Sequence, residues 1–183
     1  MRIEATALPG VMRLTPVRFG DARGWFSETF RRDALAEAGC VADFVQDNQA
    51  YSRRAGVVRG LHFQAPPAAQ AKLIRVLRGA ILDAVVDIRP ASPTFGQSAA
   101  FELTAEGGEQ LLVPEGFAHG YCTLSQDTEV FYKVSAPYAP DREGGLLWCD
   151  PALNIPWPVS AADAIVSERD RLWPQWPWFR SPF

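Results

Sequence analysis

The feature that most constrains this chain's fold is a series of short alternating segments cut by glycine and proline. Lys72-Leu73-Ile74-Arg75-Val76-Leu77-Arg78 alternates polar with apolar residues and stops at Gly79. Ile81 to Arg89 repeats the pattern. A period of two puts one side of a segment on a core and the other in solvent, which is a half-buried strand. Thr128 to Val134 reads the same way, with aromatics at Phe131 and Tyr132. Shorter strands are expected at Val11–Phe19, where Pro16 marks an edge, at Trp25–Phe30, Phe44–Asn48, Phe101–Leu103 and Gln110–Val113. Turns fall at Asp21–Gly24, Pro66-Pro67, Ser92–Gly96 and Gly107-Gly108. The best helix is short, Asp33 to Gly39, with Asp33 as its cap and Gly39 as its end. One or two helical turns are also expected within Ala161–Arg171.

Many short strands, few helices and glycines that rarely fall inside a strand predict an all-β antiparallel sandwich or barrel. No Cys…Trp…Cys framework is present, so a double-sheet jelly roll fits better than an immunoglobulin sandwich. The 183 residues suit one domain. From about Pro140 the texture changes. Pro151, Pro156 and Pro158 break regular structure, and Trp173, Trp176, Trp178 and Phe179 predict a tail packed on the barrel or on another subunit. A net charge of −3 argues against a general polyanion binder, though a local basic pocket is compatible with it. Cys40, Cys122 and Cys149 form no CxxC, which suits a reducing cytoplasm. The N-terminus lacks the apolar core of a signal peptide, and no apolar run reaches membrane length.

Chemistry points first to Val57-Val58-Arg59-Gly60-Leu61-His62-Phe63-Gln64. His62 and His119 are the only histidines, the residues that titrate nearest neutral pH. A core histidine satisfied by a carbonyl is the bland alternative for either. A metal set would have to combine His62 and His119 with Glu28 or Glu115, without a His-x-His pair. No Gly-x-Ser-x-Gly elbow or phosphate loop is present. Arg23, Arg59 and Lys72 lie in or beside apolar strands, where an unpaired cation is expensive. Converging, they would suit a diphosphate. Arg59 and His62 are three apart, so a regular strand would send them to opposite faces. Sharing one pocket demands a bend or bulge near Gly60.

Asp21-x-Arg23-Gly24-x-Phe26-x-Glu28, Gln46-Asp47-Asn48, Arg59-Gly60-Leu61-His62-Phe63-Gln64, Lys72-Leu73, Gly116-Phe117-Ala118-His119-Gly120 and Tyr132-Lys133 occur in that order. Asp150-Pro151, Ile155-x-Trp157-Pro158 and Ser167-Glu168-Arg169-Asp170 complete the series. Together they resemble the dTDP-4-dehydrorhamnose 3,5-epimerase family. The resemblance implies a cupin-type jelly roll, a double-stranded β-helix, acting as a homodimer without metal or other cofactor. It implies a dTDP-4-keto-6-deoxy sugar as substrate. The 4-keto group acidifies C3 and C5, and each centre inverts through an enolate. His62 would be the general base, Asp170 its hydrogen-bonded partner, Tyr132 the acid on the opposite face, and Lys72 the stabiliser of the C4 oxygen. Arg23, Glu28, Gln46, Asn48, Arg59, His119, Tyr138, Glu143 and Arg169 match substrate-contacting positions. Arg169 stands where the family usually has lysine. Relatives on the same scaffold invert only one carbon. A mono-epimerase for a related dTDP-4-keto-deoxysugar and a non-catalytic nucleotide-sugar-binding cupin therefore remain open as alternatives.

Overall fold

A computed structural model of the chain describes residues 1–40 and 42–183. Among the described residues thirteen strands run in chain order: β1 Arg2–Ala5, β2 Met12–Thr15, β3 Phe19–Asp21, β4 Gly24–Phe26, β5 Gln46–Ser52, β6 Val58–Gln64 and β7 Lys72–Arg78, then β8 Ala80–Asp87, β9 Ser98–Thr104, β10 Gln110–Val113, β11 Phe117–Thr123, β12 Thr128–Val134 and β13 Glu143–Gly145. Two short helices, α1 Arg32–Glu37 and α2 Glu168–Arg171, flank the site-bearing strands.

The strands form two facing antiparallel sheets. One holds β1-β2-β10-β7-β12-β5 and the other β13-β6-β11-β8-β9. Their inner faces meet in a dry core: Ile74, Val76, Leu111 and Val130 from the first sheet pack with Ile81, Val85, Leu103 and Phe117 from the second. That core is the source of the alternation in β7 and β12. The expected jelly roll is thus present. β3 and β4 form a hairpin that, among the described residues, pairs only with itself. Among the described residues, no helix is long and apolar enough to cross a membrane.

Five local expectations are corrected. Val11–Phe19 is not one strand but two, β2 and β3, separated at Pro16–Arg18 where the chain leaves the six-stranded sheet. The strand expected to reach Phe30 ends at Phe26, where the partner β3 runs out. Asp33 does not cap α1. It sits in the first turn while Arg31 occupies the cap without a side-chain bond. Gly39, at φ +88°, does follow the helix end.

β8 is not half-buried: Ala84 to Asp87 are fully covered. One side of the strand faces the core. On the other, Val86 and Ile88 pack with Trp157, Trp176, Phe179 and Phe183 of the C-terminal segment. The aromatic tail therefore lids the five-stranded sheet, which turns an alternating strand into a doubly buried one.

Glycine also falls inside strands, against expectation. Gly60 in β6 and Gly120 in β11 face each other, and a Cβ on Gly60 would lie 2.5 Å from the Gly120 Cα. Only hydrogen fits between these backbones.

Candidate active site

That close approach is what builds the site. His119 pairs with His62 and Tyr121 with Arg59, so the one residue between them on β11, Gly120, stands against two on β6, Gly60 and Leu61. The extra residue is a bulge, and Gly60 supplies the φ of +140° that it needs. Arg59 and His62 are thereby brought to one cavity. The demand that spacing placed on this strand is met by geometry that no other residue type would accept cheaply.

The cavity is about 520 Å³ and lies between the two sheets. Its wall includes Arg59 and His62 from β6, His119 and Tyr121 from β11, Lys72 from β7, Tyr132 from β12, and Arg169 and Asp170 from α2. A second hollow of about 310 Å³ is lined by Gln46, Asn48, Tyr138 and Glu143. His62, Lys72 and Tyr132 border both, so the two form one cleft with these three side chains at its waist.

His62 Nε2 lies 2.6 Å from Asp170 Oδ1. The other carboxylate oxygen, Oδ2, accepts from the backbone N–H of Gly60 at 3.2 Å. Asp170 therefore pins both the bulge and the histidine. Burial opposes its ionisation, but hydrogen bonds with His62, Gly60 and Ser167 outweigh burial and hold the carboxyl below its ordinary range. Ser167 also caps α2, its Oγ accepting from the Asp170 N–H. With a carboxylate accepting from Nε2–H, the free lone pair of the imidazole is on Nδ1.

Lys72 is the cation at the waist. Burial pulls its ammonium down to about 8, against the pull of Asp83 and Glu143 that favours the charged form. It donates to the His62 carbonyl at 3.4 Å. The Tyr132 phenol is pushed up by burial, while nearby Arg59 opposes that shift. At neutral pH it holds its proton.

The His119 Nε2–H donates to both carboxylate oxygens of Asp83, at 2.9 and 3.0 Å. Asp83 is fully buried on β8 opposite Tyr121. Sequence reading missed Asp83. Its signal was a carboxylate in an otherwise apolar strand, which needs a buried partner. A core-type histidine was the bland reading for His119. The structure gives it a carboxylate partner and a place on the cavity wall. Among the described residues, no three His, Cys, Asp or Glu side chains form a group suited to a metal ion.

The second hollow is held by a polar chain. Tyr138 Oη donates to Glu143 Oε2 at 2.7 Å, and Arg169 pairs with the same carboxylate. Gln46 Nε2 donates to Asn48 Oδ1 at 2.9 Å, and Gln46 Oε1 accepts from the Tyr138 N–H at 3.2 Å. Gln64 braces this loop by accepting from the Ala139 N–H.

Arg23 and Glu28 are not brought to the cleft of their own chain. Arg23 is exposed at the tip of the β3–β4 hairpin and pairs with Asp21. Glu28 lies 3.7 Å from Arg31 beside an outer groove with Phe30 and Arg75. The hairpin pairs with neither main sheet, and among the described residues neither Arg23 nor Glu28 lines the cleft around His62.

The dTDP-4-dehydrorhamnose 3,5-epimerase family model matches residues 5–177. The chain belongs to the dTDP-4-dehydrorhamnose 3,5-epimerase family. A curated Sinorhizobium fredii enzyme of that name is 46% identical over 170 residues, covering 93% of this chain and 87% of the relative. The solved Bacillus anthracis enzyme, with TDP and PPi bound, is 48% identical with a TM-score of 0.92. The match covers 95% of this chain and 98% of that one. A Legionella pneumophila epimerase in complex with dTDP-4-keto-L-rhamnose is 37% identical with a TM-score of 0.92, over 98% and 94%. These neighbours share the cupin-type jelly roll, as expected. The family places the chain among isomerases that act in dTDP-rhamnose biosynthesis.

Proposed function

We propose that this chain epimerises C3 and C5 of dTDP-4-dehydro-6-deoxy-D-glucose to give dTDP-4-dehydro-L-rhamnose. One observation carries the reading beyond family membership. His62 and Tyr132 line one cleft from facing sheets, β6 and β12, and Lys72 of β7 lines it with them. A base on one side and an acid on the other is what inversion needs, whereas binding alone needs neither.

His62 Nδ1 takes the proton from the carbon beside the ketone, and Asp170 stabilises the imidazolium formed. The electron pair moves to the C4 oxygen, where the Lys72 ammonium meets the developing charge. Tyr132 returns a proton from the other face, and the ketone re-forms. The phenolate and imidazolium then exchange with solvent to restore the enzyme. Arg59 at one end of the cleft suits the diphosphate. Gln46, Asn48, Tyr138, Glu143, His119 and Arg169 serve as further substrate contacts, with the Tyr138 ring exposed for stacking. Arg169, in place of lysine, also holds Glu143.

We further propose a homodimer. The β3–β4 hairpin carries Phe19, Trp25 and Phe26 at 64%, 60% and 71% exposure. A second copy would cover them and receive Arg23 and Glu28 near its own cleft. Free Cys40, Cys122 and Cys149 support a reducing, cytoplasmic setting.

The test is isotope exchange. Incubated with the 4-keto sugar nucleotide in D₂O, the enzyme should place deuterium at C3 and C5 with both centres inverted. Deuterium at neither carbon refutes the reading, and deuterium at one alone replaces it with a mono-epimerase. His62→Ala should lose nearly all exchange. Sedimentation at micromolar concentration should give a dimer, and a monomer would refute that part.

A further inference from the structure

The aromatic tail begins at the dyad, not merely near it. Trp173 follows α2 closely, and its indole lies 6.3 Å, centroid to centroid, from the His62 ring at 69°. The Arg169 guanidinium sits over the same indole at 5.4 Å. Behind it is Gly145, the β13 residue that pairs with His62. A Cβ on Gly145 would come within 2.6 Å of the indole, so the ring packs directly on bare backbone. The Leu147 N–H donates to the Pro174 carbonyl at 2.9 Å and ties the chain down just beyond it. The indole N–H is buried without an acceptor. Leaving such a donor unmet costs about 1–3 kcal/mol, so it is not hydrogen bonding that keeps tryptophan here. What remains is shape: a flat ring wedged between Gly145 and His62.

We propose that Trp173 is a positioning residue for the His62–Asp170 pair. Its indole holds the imidazole edge-on against the carboxylate and keeps water from the side opposite the cleft. The tail would then have two tasks, covering β8 and fixing the base. The catalytic half of this inference rests on the epimerase reading. The geometric half does not.

The test pairs kinetics with proton NMR of the ¹⁵N-histidine-labelled enzyme. The Nε2–H of His62, in its 2.6 Å bond to Asp170, should give a slowly exchanging downfield signal. His119, bonded to Asp83, is the internal control. In Trp173→Leu, kcat should fall about 10–100-fold with KM within about twofold, since a misplaced catalytic group costs up to about 10²-fold. The His62 signal should vanish and the His119 signal persist. Trp173→Phe restores the flat ring and makes no worse use of a donor that was unmet, so kcat and signal should both return to near wild type. If Trp173→Leu keeps kcat and signal, the inference is overturned. It is also overturned if Trp173→Phe is as impaired as Trp173→Leu. Should Trp173→Leu fail to fold, Trp173→Met must show the same split. If wild type catalyses no exchange, the epimerase reading fails, and the His62 signal in Trp173→Leu still decides the clamp.

Discussion

Replacing Lys72 by methionine should stabilise the protein while disabling it. Burial lowers the ammonium from its ordinary 10.5 to about 8. Each pKa unit is worth about 1.4 kcal/mol, so at neutral pH the charge costs the folded state about 3 kcal/mol relative to the neutral amine. Methionine has similar length and no charge, and stands in for that neutral amine. Below pH 8 the lysine is protonated in both folded and unfolded chains, and the full cost applies. Between pH 8 and 10.5 the unfolded chain still binds the proton and the folded one does not, so wild-type stability rises with pH. Above 10.5 the difference is gone.

Lys72→Met should therefore exceed wild type by up to about 3 kcal/mol at pH 7, which for a chain of this size is about 6–12 °C in Tm. The gap should close as pH approaches 10.5. Paired thermal or urea unfolding at pH 7 and pH 10 checks this, with both proteins at equal concentration so that assembly does not bias the comparison. Isotope exchange in the variant should fall about 10²–10³-fold, the loss typical of one donor to a developing oxyanion. A variant less stable than wild type at pH 7, or a gap that does not narrow with pH, refutes the account of Lys72 as a charge held against its solvation preference.

Other substitutions probe the frame around the cleft. Gly60→Ala must place a Cβ 2.5 Å from the Gly120 Cα at φ +140°, and should cost about 2–5 kcal/mol and the activity with it; circular dichroism melting checks this. Asp87 is fully buried at the end of β8. Burial raises its pKa, but bonds from Arg89, Ser92 and Thr94 overcome that and hold it at about 2. Its stabilisation is therefore present above pH 4 and lost as pH falls through 2. Asp87→Asn should unfold about 2 kcal/mol more easily at pH 7 in urea, with little change in KM. Glu143→Gln releases Tyr138 and Arg169 together and should raise KM more than it lowers kcat, read from initial rates.

The sheets were legible because period-two patterning reports which face is dry. β7, β10 and β12 match their expected spans within a residue. The misreadings have one cause. β8 looked half-exposed because its outer cover comes from a tail far along the chain, and local pattern does not encode a distant lid. The helix cap failed similarly. Asp33 is a good capping type, yet the helix that buries Ala34 and Leu35 starts two residues earlier, with Arg31 at the cap. Within the site, His62, Lys72 and Tyr132 were findable as polar side chains in apolar strands. Their convergence was not, since it depends on sheet pairing.

Arg23 and Glu28 carry that lesson furthest. Motif order assigns them to a substrate, but in their own chain Arg23 sits exposed at the tip of the β3–β4 hairpin and Glu28 lies just past its end, outside the cleft. A sequence motif records which residues act together without recording which copy each belongs to. Three exposed aromatics on one self-paired hairpin, with Arg23 at its tip and Glu28 just past its end, are poorly placed in a monomer, because the apolar rings gain nothing in water. They become consistent if a second copy buries the rings and takes the charges to its cleft. The same hairpin then explains both the exposed surface and the missing side of the site. A mixed dimer would decide it. Combining a His62→Ala chain with an Arg23→Ala chain leaves one cleft with both defects and one with neither, if the hairpin crosses over. Exchange activity should then rise well above that of either variant alone. If mixing restores nothing, each cleft is served by its own chain, and the crossover is refuted.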